Sequence, residues 1–427
     1  MLLAGCSPVP WIPNSTPKAT RPPQAAPSPS VTPTPVPPMN AADYGVVGDG
    51  ITDDAHALQL LLDEAATAAA EVLLTAKSRL KLRTSVNVPS NTRLNGNGAT
   101  VINATSGSGG RSLVLRQVEH ITIENLNFDG AKAMFAEATE QRHNLVLSGA
   151  KNVTLTALNS YNAKGDGLYI GDQSSGPSVN VTVSNSSFTE NHRQGMSVTC
   201  VSGLTVTACQ FKTSAGTAPG AGVDIEPNTD SSVIQGVLFR NCSFEGNVGG
   251  GLQINLRPLP SAPQESGSYV GCSFVNNPRA SGVILLNSRG ARFSGGVMSG
   301  NALDGMTIFS ATDTALDSVT LAQNGRSGIE TVGSYSLLAI DRAVFSDNGA
   351  KQPSGGFGVN STPPAGKRGA SLRVTDCTFV NMHGGIQTNS ACSDVLLADN
   401  QYSGVVVDEL LAGVASTGAD TDPSSGA

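Results

Sequence analysis

Short alternations of apolar and polar residues recur along most of the chain from about residue 118, at a period of roughly 22–31 residues. One half of each repeat is a strand that opens on glycine and alternates inward apolar residues with outward ones. These strands begin at Gly167, Gly195, Gly222, Gly251, Gly282, Gly305 and Gly328. The other half closes on phenylalanine, at Phe188, Phe211, Phe244, Phe274 and Phe379. Such short strands, joined by Gly and Asn turns, are typical of a solenoid whose coils bury their apolar positions on one another.

Stacked coils bring equivalent residues into ladders, and the sequence predicts three of them. Phenylalanine forms the first. Cysteine forms the second, because four of the six cysteines beyond Cys6 share one repeat position; we expect buried free thiols rather than disulfides. The six are Cys200, Cys209, Cys242, Cys272, Cys377 and Cys392. Asparagine forms the third, three residues after the phenylalanine, in a tight turn where we expect left-handed backbone angles. Its members are Asn191, Asn247, Asn277 and Asn348.

The segment Asp43–Asp54 reads D-Y-G-V-V-G-D-G-I-T-D-D and is followed by Ala57 and Gln59. It resembles the N-terminal motif of the pectate-lyase-like superfamily. The resemblance covers roughly residues 40–405 and implies an all-β fold, a single-stranded right-handed parallel β-helix of about ten or more coils. It also implies a capping α-helix after Asp53. The superfamily includes polygalacturonases, polysaccharide lyases, alginate epimerases and phage tailspike depolymerases, so it implies carbohydrate chemistry without specifying the reaction.

The two ends of the chain differ from the repeat region in composition. Residues 1–6 end in Leu-Ala-Gly-Cys and resemble a lipobox, which makes Cys6 a candidate for lipidation. Residues 7–38 hold twelve of the 24 prolines and read as a disordered linker. We expect the β-helix domain over residues 39–415 and a disordered tail over 416–427. The protein is accordingly expected to be exported, as a cell-envelope lipoprotein or a secreted protein, with no membrane contact beyond the lipid anchor.

Charge narrows the range of partners. The formal net charge is −7 with only 26 Lys and Arg residues, and no basic cluster stands out. Because nucleic acid binding requires a concentrated positive surface, we do not expect a nucleic acid partner. No trimerising coiled coil is visible in the sequence, so we expect a monomer with a polysaccharide substrate.

The outward residues of the glycine-initiated strands are polar in some coils and apolar in others. Two residues after glycine, the outward row reads Tyr169, Ser197, Asp224, Gln253, Ile284, Thr307 and Glu330. Four residues after glycine, the next row reads Gly171, Thr199, Glu226, Asn255, Leu286, Phe309 and Val332. Hydrogen-bonding side chains concentrate in the first four coils, which predicts a groove between Tyr169 and Arg257.

Asp224 and Glu226 lie two residues apart on one exposed strand face, so their side chains are separated by about 6.6 Å. This is near the lower end of the carboxyl spacing in inverting glycosidases, roughly 6.5–9.5 Å. Asp166 is a third acid two coils away, at about 10 Å. Crowded acids raise one another's pKa, and Arg193 would offset that crowding or hold an anionic sugar. We interpret these four residues as catalytic.

Six further residues are candidate substrate contacts, because loops at the rim of a rigid scaffold commonly carry function. His143 is expected one coil earlier on the other side. The six are His143, Tyr169, Asp172, His192, Asn255 and Arg257.

The stretch N-A-K-G-D-G, residues 162–167, resembles the Asp-Gly step of polygalacturonases and adds weight to Asp166. The Asp-Asp, Gly-His-Gly and Arg-Ile-Lys motifs of polygalacturonases are absent from the sequence, as is the Asp-Pro-His of alginate epimerases. Three functions therefore stay open. Acid–base hydrolysis of a polysaccharide requires no cofactor and is slightly favoured. A lyase or epimerase on a uronic-acid polymer would use Ca²⁺ held by the carboxylates, with Arg193, His192 or Tyr169 removing the C5 proton. A non-catalytic glycan-binding protein would need none of the acids for chemistry, and Asp224 and Glu226 would then be a solvated pair.

Overall fold

Each coil of the molecule consists of three short parallel strands joined by turns, and the strands of successive coils pair into three sheets. The computed structural model describes residues 36–107, 109–136, 140–171, 173–259, 265–352 and 355–412. Residues from Val36 onward form one unit, a right-handed parallel β-helix of about 13 turns with one α-helix. The prediction of this fold is confirmed. The expected boundaries at residues 6, 38 and 415 stay predictions, because residues 1–35 and 413–427 lie outside the described residues.

The strands divide among the sheets by their pairing. Sheet A contains Met39–Asn40, Glu71–Leu73, Arg93–Asn95, Glu119–Glu124, Lys151–Thr156, Ser178–Ser184, Val201–Thr207, Ile234–Arg240, Ser268–Val270, Ser288–Arg289, Arg292–Ser294, Gly369–Thr375 and Cys392–Ala398. Sheet B contains Asp49–Asp53, Arg79–Leu82, Thr100–Asn103, Asn127–Asp129, Asn159–Tyr161, Ser187–Thr189, Gln210–Lys212, Ser243–Glu245, Ser273–Val275, Val297–Ser299, Thr320–Ala322 and Val344–Ser346.

Sheet C is the sheet of the glycine-initiated strands. It contains Val86–Asn87, Leu113–Arg116, Leu145–Ser148, Leu168–Ile170, Met196–Val198, Val223–Ile225, Leu252–Asn255, Val283–Leu286 and Phe357–Ser361. Four longer strands bend from one sheet into the next. Met306–Asp317 and Ile329–Asp341 run from sheet C into sheet A, and Thr378–Thr388 and Gln401–Leu411 run from sheet B into sheet C. Three 3₁₀ turns span Ala41–Tyr44, Lys132–Met134 and Gln173–Ser175.

The core is built of stacked equivalent side chains, as the repeat predicts. Phe188, Phe211, Phe244 and Phe274 form one continuous stack with ring centroids 5.2, 5.2 and 4.6 Å apart. Each of these rings is fully buried. Because a coil has no closed core of its own, this burial is available only when neighbouring coils are in register.

The asparagine ladder is real, but its predicted backbone conformation is wrong. Asn277, Asn301, Asn324 and Asn348 are buried, and each amide oxygen accepts the backbone N–H of the preceding ladder member, the first from Asn247, at 3.0–3.2 Å. None of the four has a positive φ angle. Their side chains point into the coil and satisfy backbone groups that the turn leaves unpaired. The left-handed angles occur instead at asparagines in other turns, such as Asn185 (φ 49°).

The glycine that opens each strand of sheet C makes room for this ladder. A Cβ at Gly222 would lie 2.7 Å from the carbonyl oxygen of Gly251 in the next coil and 2.8 Å from Nδ2 of Asn247. Both distances are shorter than van der Waals contact, so any larger residue would push the coils apart. The repeated Gly is therefore required by the repeated Asn, whose side chain packs against the glycine backbone.

The cysteine prediction is confirmed for the part of the chain that the structure describes, where all six cysteines are buried and free. The Cys242 thiol donates to the carbonyl oxygens of Arg240 at 3.4 Å and Val206 at 3.6 Å. Burial raises the pKa of Cys377 to about 12. These thiols act as small core residues, and Cys6 lies outside the described residues.

A capping helix, Ala55–Ala68, covers the N-terminal end of the coil stack. Its buried side chains are Ala55, Leu58, Leu61, Leu62 and Ala65. The Gln59 amide both donates to the carbonyl oxygen of Asn87 and accepts its N–H, each at 2.8 Å. Gln59 thus pairs with backbone groups of the first strand of sheet C that would otherwise face an open sheet edge. Asp54 occupies the N-cap position, and its carboxylate accepts the N–H groups of Val47 and Gly48.

Among the described residues, no helix is long and apolar enough to cross a membrane.

Candidate functional site

The candidate site lies on the outer face of sheet C, where strand pairing aligns the predicted row. Tyr169 pairs with Ser197, Ser197 with Asp224, and Asp224 with Gln253. Successive members are therefore one coil apart, or about 4.8 Å. Asn255 pairs with Leu286 in the following row.

Asp166 is a fully buried acid beneath this face and forms an ion pair with the partly exposed Arg193. Its carboxylate is 0% exposed and lies 3.3 Å from Nη1 of Arg193. It also accepts the backbone N–H of Gln194 at 3.1 Å. Nδ1 of His143 lies 3.2 Å from the Asp166 carboxylate and 3.1 Å from the Asp166 backbone nitrogen. A neutral His143 accepts this N–H, whereas a protonated one donates to the carboxylate.

Arg193 is the cation of the site. Its side chain is 16% exposed, and its Nε lies 3.7 Å from Oε2 of Glu140. Burial alone would lower the pKa of Arg193, but the charges of Asp166, Asp224, Glu140 and Glu226 outweigh burial and raise it. Arg193 therefore stays charged at neutral pH. Of the three predicted catalytic acids, Asp166 is the one that forms an ion pair with Arg193.

Asp224 is buried, which corrects the expectation of an exposed carboxylate. Its side chain points away from the core as predicted, yet it is only 2% exposed. The side-chain amides of Gln194 and Gln253 cover it and donate to its two oxygens, each at 3.3 Å. Burial and the charge of Glu226 raise the pKa of Asp224 to about 8, against the opposing effect of Arg193. Asp224 therefore holds a proton at neutral pH.

Glu226 is the more accessible acid of the pair. It is half-buried, and Nδ2 of Asn255 donates to its Oε1 at 2.9 Å. Asn255 is itself held by Nδ2 of Asn287 at 3.4 Å. This chain of amides orients Glu226 toward the groove.

Tyr169 and His143 form a stacked aromatic pair at one end of the groove, with ring centroids 4.8 Å apart and planes at 21°. The Tyr169 hydroxyl lies 3.2 Å from the hydroxyl of Thr199. His143 is buried, and its Nε2 has no hydrogen-bond partner. The expectation that His143 lies on the other side is wrong. His143 occupies the position equivalent to Asp166 in the preceding coil, and its ring contacts the Asp166 carboxylate.

The remaining predicted contacts are less closely tied to the cluster. His192 is half-buried at the rim, and burial together with Lys164 and Lys132 lowers its pKa. Arg257 is exposed, and its backbone N–H donates to Oδ1 of Asn255. Asp172 lies outside the described residues.

Sequence reasoning missed two members of the cluster, Glu140 and Gln194. Gln194 occupies the position directly before glycine, which Asp166 occupies one coil earlier, and this shared offset could have identified it. Glu140 lies in the loop before the strand Leu145–Ser148, and it does not occupy a position that recurs in the repeat, so the sequence pattern could not predict it.

Sheet C carries a second cluster of charged residues, formed by Asp304, Arg326 and Glu330. Asp304 and Glu330 are both buried, Asp304 lies 3.8 Å from Nε of Arg326, and burial and Asp304 raise the pKa of Glu330 to about 7. Asp304 and Arg326 stand at the same offsets from glycine as Asp166 and Arg193.

A depression of about 270 Å³ lined by Ser90, Glu119 and Lys151 lies at a turn of the β-helix, and the acids of the candidate site do not line it. Across the described ranges, no three His, Cys, Asp or Glu side chains are grouped so as to hold a metal ion.

The parallel coils and their three sheets define a class of protein that comparison with known families identifies. Residues 92–258 and 261–402 match the family described as "Right handed beta helix region", and the chain belongs to this family. Comparison with curated proteins gave no match.

Several solved structures share the fold. The A-module of the mannuronan C-5 epimerase AlgE6 from Azotobacter vinelandii is 18% identical with a TM-score of 0.59, covering 90% of this chain and 98% of that one. The AlgE4 A-module from the same organism is 16% identical with a TM-score of 0.58, covering 89% and 99%. PfbA, a surface adhesin of Streptococcus pneumoniae, is 16% identical with a TM-score of 0.57, covering 88% and 93%. At these identities the likeness extends to the fold alone.

Proposed function

We propose that this chain cleaves glycosidic bonds of a polysaccharide bound along the groove of sheet C, by acid–base hydrolysis. One observation carries the proposal: Asp224, a buried acid whose pKa is raised to about 8, lies two residues before the more accessible acid Glu226. Acid–base glycoside hydrolysis requires a proton donor and a carboxylate that flank the scissile bond, roughly 6.5–9.5 Å apart in an inverting reaction.

In this mechanism Asp224 protonates the leaving oxygen and Glu226 activates water. Because Asp224 lies at the floor of the groove, the glycosidic oxygen has to approach the sheet closely. The side-chain amides of Gln194 and Gln253, which cover Asp224, have to move aside for that approach. Asn255 keeps Glu226 oriented through its 2.9 Å hydrogen bond.

Arg193 and Asp166 supply the electrostatic setting. The charge of Arg193 lowers the pKa of Asp224 and so limits the rise caused by burial, Glu226 and Asp166. Tyr169, stacked on His143, offers a half-buried ring edge to a sugar at the end of the groove. These residues position the substrate, whereas Asp224 and Glu226 react with it.

A lyase or epimerase acting on a uronic-acid polymer is the second candidate, and His192 favours it. Its lowered pKa keeps the imidazole neutral at neutral pH and able to accept a C5 proton. Arg193, or Ca²⁺ bound by the substrate and the acids, would neutralise the uronate. The epimerase modules with the same fold act on mannuronan by name, which makes alginate a necessary substrate in the test.

The proposal includes an extracellular setting. A surface adhesin and polysaccharide epimerases share this fold, which supports a protein of the cell surface or its surroundings. Anchoring through a lipidated Cys6, and action as a monomer, are part of the proposal.

The test is a screen of the full chain against polygalacturonate, alginate, arabinoxylan and neutral glucans, with and without Ca²⁺. Reducing ends and the absorbance of unsaturated uronate are followed together, beside the Asp224→Asn/Glu226→Gln double variant. Reducing ends without unsaturation, lost in the double variant, would support hydrolysis. Unsaturated product, or epimerised polymer detected by NMR, would replace hydrolysis with the second candidate. Binding without any turnover would make the protein a glycan-binding module.

A further inference from the structure

An apolar platform interrupts the polar face of sheet C directly beyond the candidate site. It consists of Ile284, Leu286 and Phe309, and the exposed Leu303 lies in the turn before the strand that carries Phe309. Phe309 is 47% exposed and Leu303 37% exposed, whereas Ile284 and Leu286 are half-buried. The platform continues the rows of the groove, because Asn255 pairs with Leu286 and Ile284 pairs with Thr307.

The backbone next to Phe309 is irregular. The pairing register shifts between Ile308 and Ser310, so that two residues of the next coil, Val332 and Gly333, oppose Phe309. Such a bulge bends the strand that carries the extra residue, here the strand of the next coil. A Cβ on Gly333 would lie 1.7 Å from the carbonyl oxygen of Phe309, so glycine is needed for this arrangement.

Polar side chains border the platform on both sides. Asn255 lies on the side of the candidate site. On the far side, Arg326 is one-third exposed, and the half-buried Asn360 donates to both oxygens of Glu330 at 3.0–3.1 Å. An apolar surface bordered by hydrogen-bonding groups suits a pyranose, whose ring faces carry C–H groups and whose rim carries hydroxyls.

We propose that this apolar platform is a distal subsite for the same glycan, binding sugar residues about three coils from the Asp224–Glu226 pair. The inference rests on the glycan groove of the proposed function and deepens it: the substrate is a long chain lying along the β-helix axis. The separation is about 14 Å, from three coil spacings of about 4.8 Å. The occupant is an uncharged ring face, because the charge of Arg326 is already offset by Asp304.

The test compares Phe309→Ala, Phe309→Tyr and Leu337→Ala with the wild-type full chain. Leu337 is a matched control because it is 40% exposed and lies outside the rows of the groove. Phe309 is half-exposed, so its removal should leave the fold intact, which urea unfolding verifies. Calorimetric titration measures the affinity for polygalacturonate, alginate and arabinoxylan, and the Michaelis constant is measured for each polymer that is cleaved.

Phe309→Ala should weaken binding of the long polymer about tenfold and raise KM without lowering kcat, whereas Phe309→Tyr and Leu337→Ala should match the wild type. Equal affinity of all four proteins for a polymer that is still cleaved would overturn the subsite and leave the proposed function standing. A Phe309-dependent affinity without cleavage would support the subsite and refute hydrolysis. Failure of the wild type to bind any of the three polymers would overturn both.

Discussion

Replacing Asp224 with asparagine should make the folded protein more stable at pH 8. Burial and Glu226 raise the pKa of Asp224 from 3.8 to about 8. Between these values the folded state keeps a proton that the unfolded chain has released, so the wild type loses stability as pH rises from about 4 to about 8. A shift of about four pH units, at about 1.4 kcal/mol each, sets an upper bound of about 6 kcal/mol. Because a buried charge is partly relaxed by its surroundings, we expect about 3 kcal/mol to be measured.

The assay is urea unfolding followed by circular dichroism between pH 4 and pH 8.5, on the wild type, Asp224→Asn and the exposed control Asp230→Asn. Glu330 also has a raised pKa and makes every variant lose stability over the same range, so the difference between variants isolates Asp224. This difference should be small near pH 4 and grow in favour of Asp224→Asn up to pH 8. A difference that does not change with pH, or a variant that is less stable at pH 8, would refute the assignment of a protonated buried carboxyl.

Three further changes test other parts of the structure. Arg193→Ala should destabilise the fold by about 3–5 kcal/mol because it removes the arginine partner of the buried Asp166 carboxyl; an unfolding midpoint equal to that of the wild type would contradict the ion pair. Asn301→Ala should cost about 2–4 kcal/mol by leaving buried backbone groups unsatisfied, whereas the exposed Asn228→Ala should cost almost nothing; equal effects would contradict the asparagine ladder. The Cys242 thiol should resist Ellman's reagent in the native protein and react only after unfolding, and rapid modification of the native protein would show that the thiol ladder is accessible.

The fold could be predicted from the sequence because a solenoid repeats its own constraints. Each coil buries the same positions on its neighbours, so Phe188, Phe211 and Phe244 recur at matching places along the chain. The direction of an asparagine side chain could not be predicted in the same way. Asn277 follows a strand closely, as a turn asparagine would, but its amide turns inward because the cross-section of the coil leaves backbone groups there to be satisfied.

The rows of the candidate site followed from strand alternation, and the burial of its members did not. Whether Asp224 is exposed depends on Gln194 and Gln253, which reach over it from the coils on either side. The partner of Arg193 likewise depends on which carboxylate the preceding coil places beneath it. Such contacts join residues about 30 positions apart, and their side-chain geometry is set only when the coils stack.

The central claim is that Glu226 and Asp224 carry out chemistry on a bound glycan, and one comparison tests it most directly. On a polymer that the wild type cleaves, kcat and the dissociation constant are measured for Glu226→Gln and for Glu245→Gln, a partly exposed glutamate of sheet B paired with Lys212. The account predicts that Glu226→Gln loses at least about a hundredfold in kcat while binding the polymer as tightly as the wild type, and that Glu245→Gln behaves as the wild type. Wild-type turnover by Glu226→Gln would contradict it.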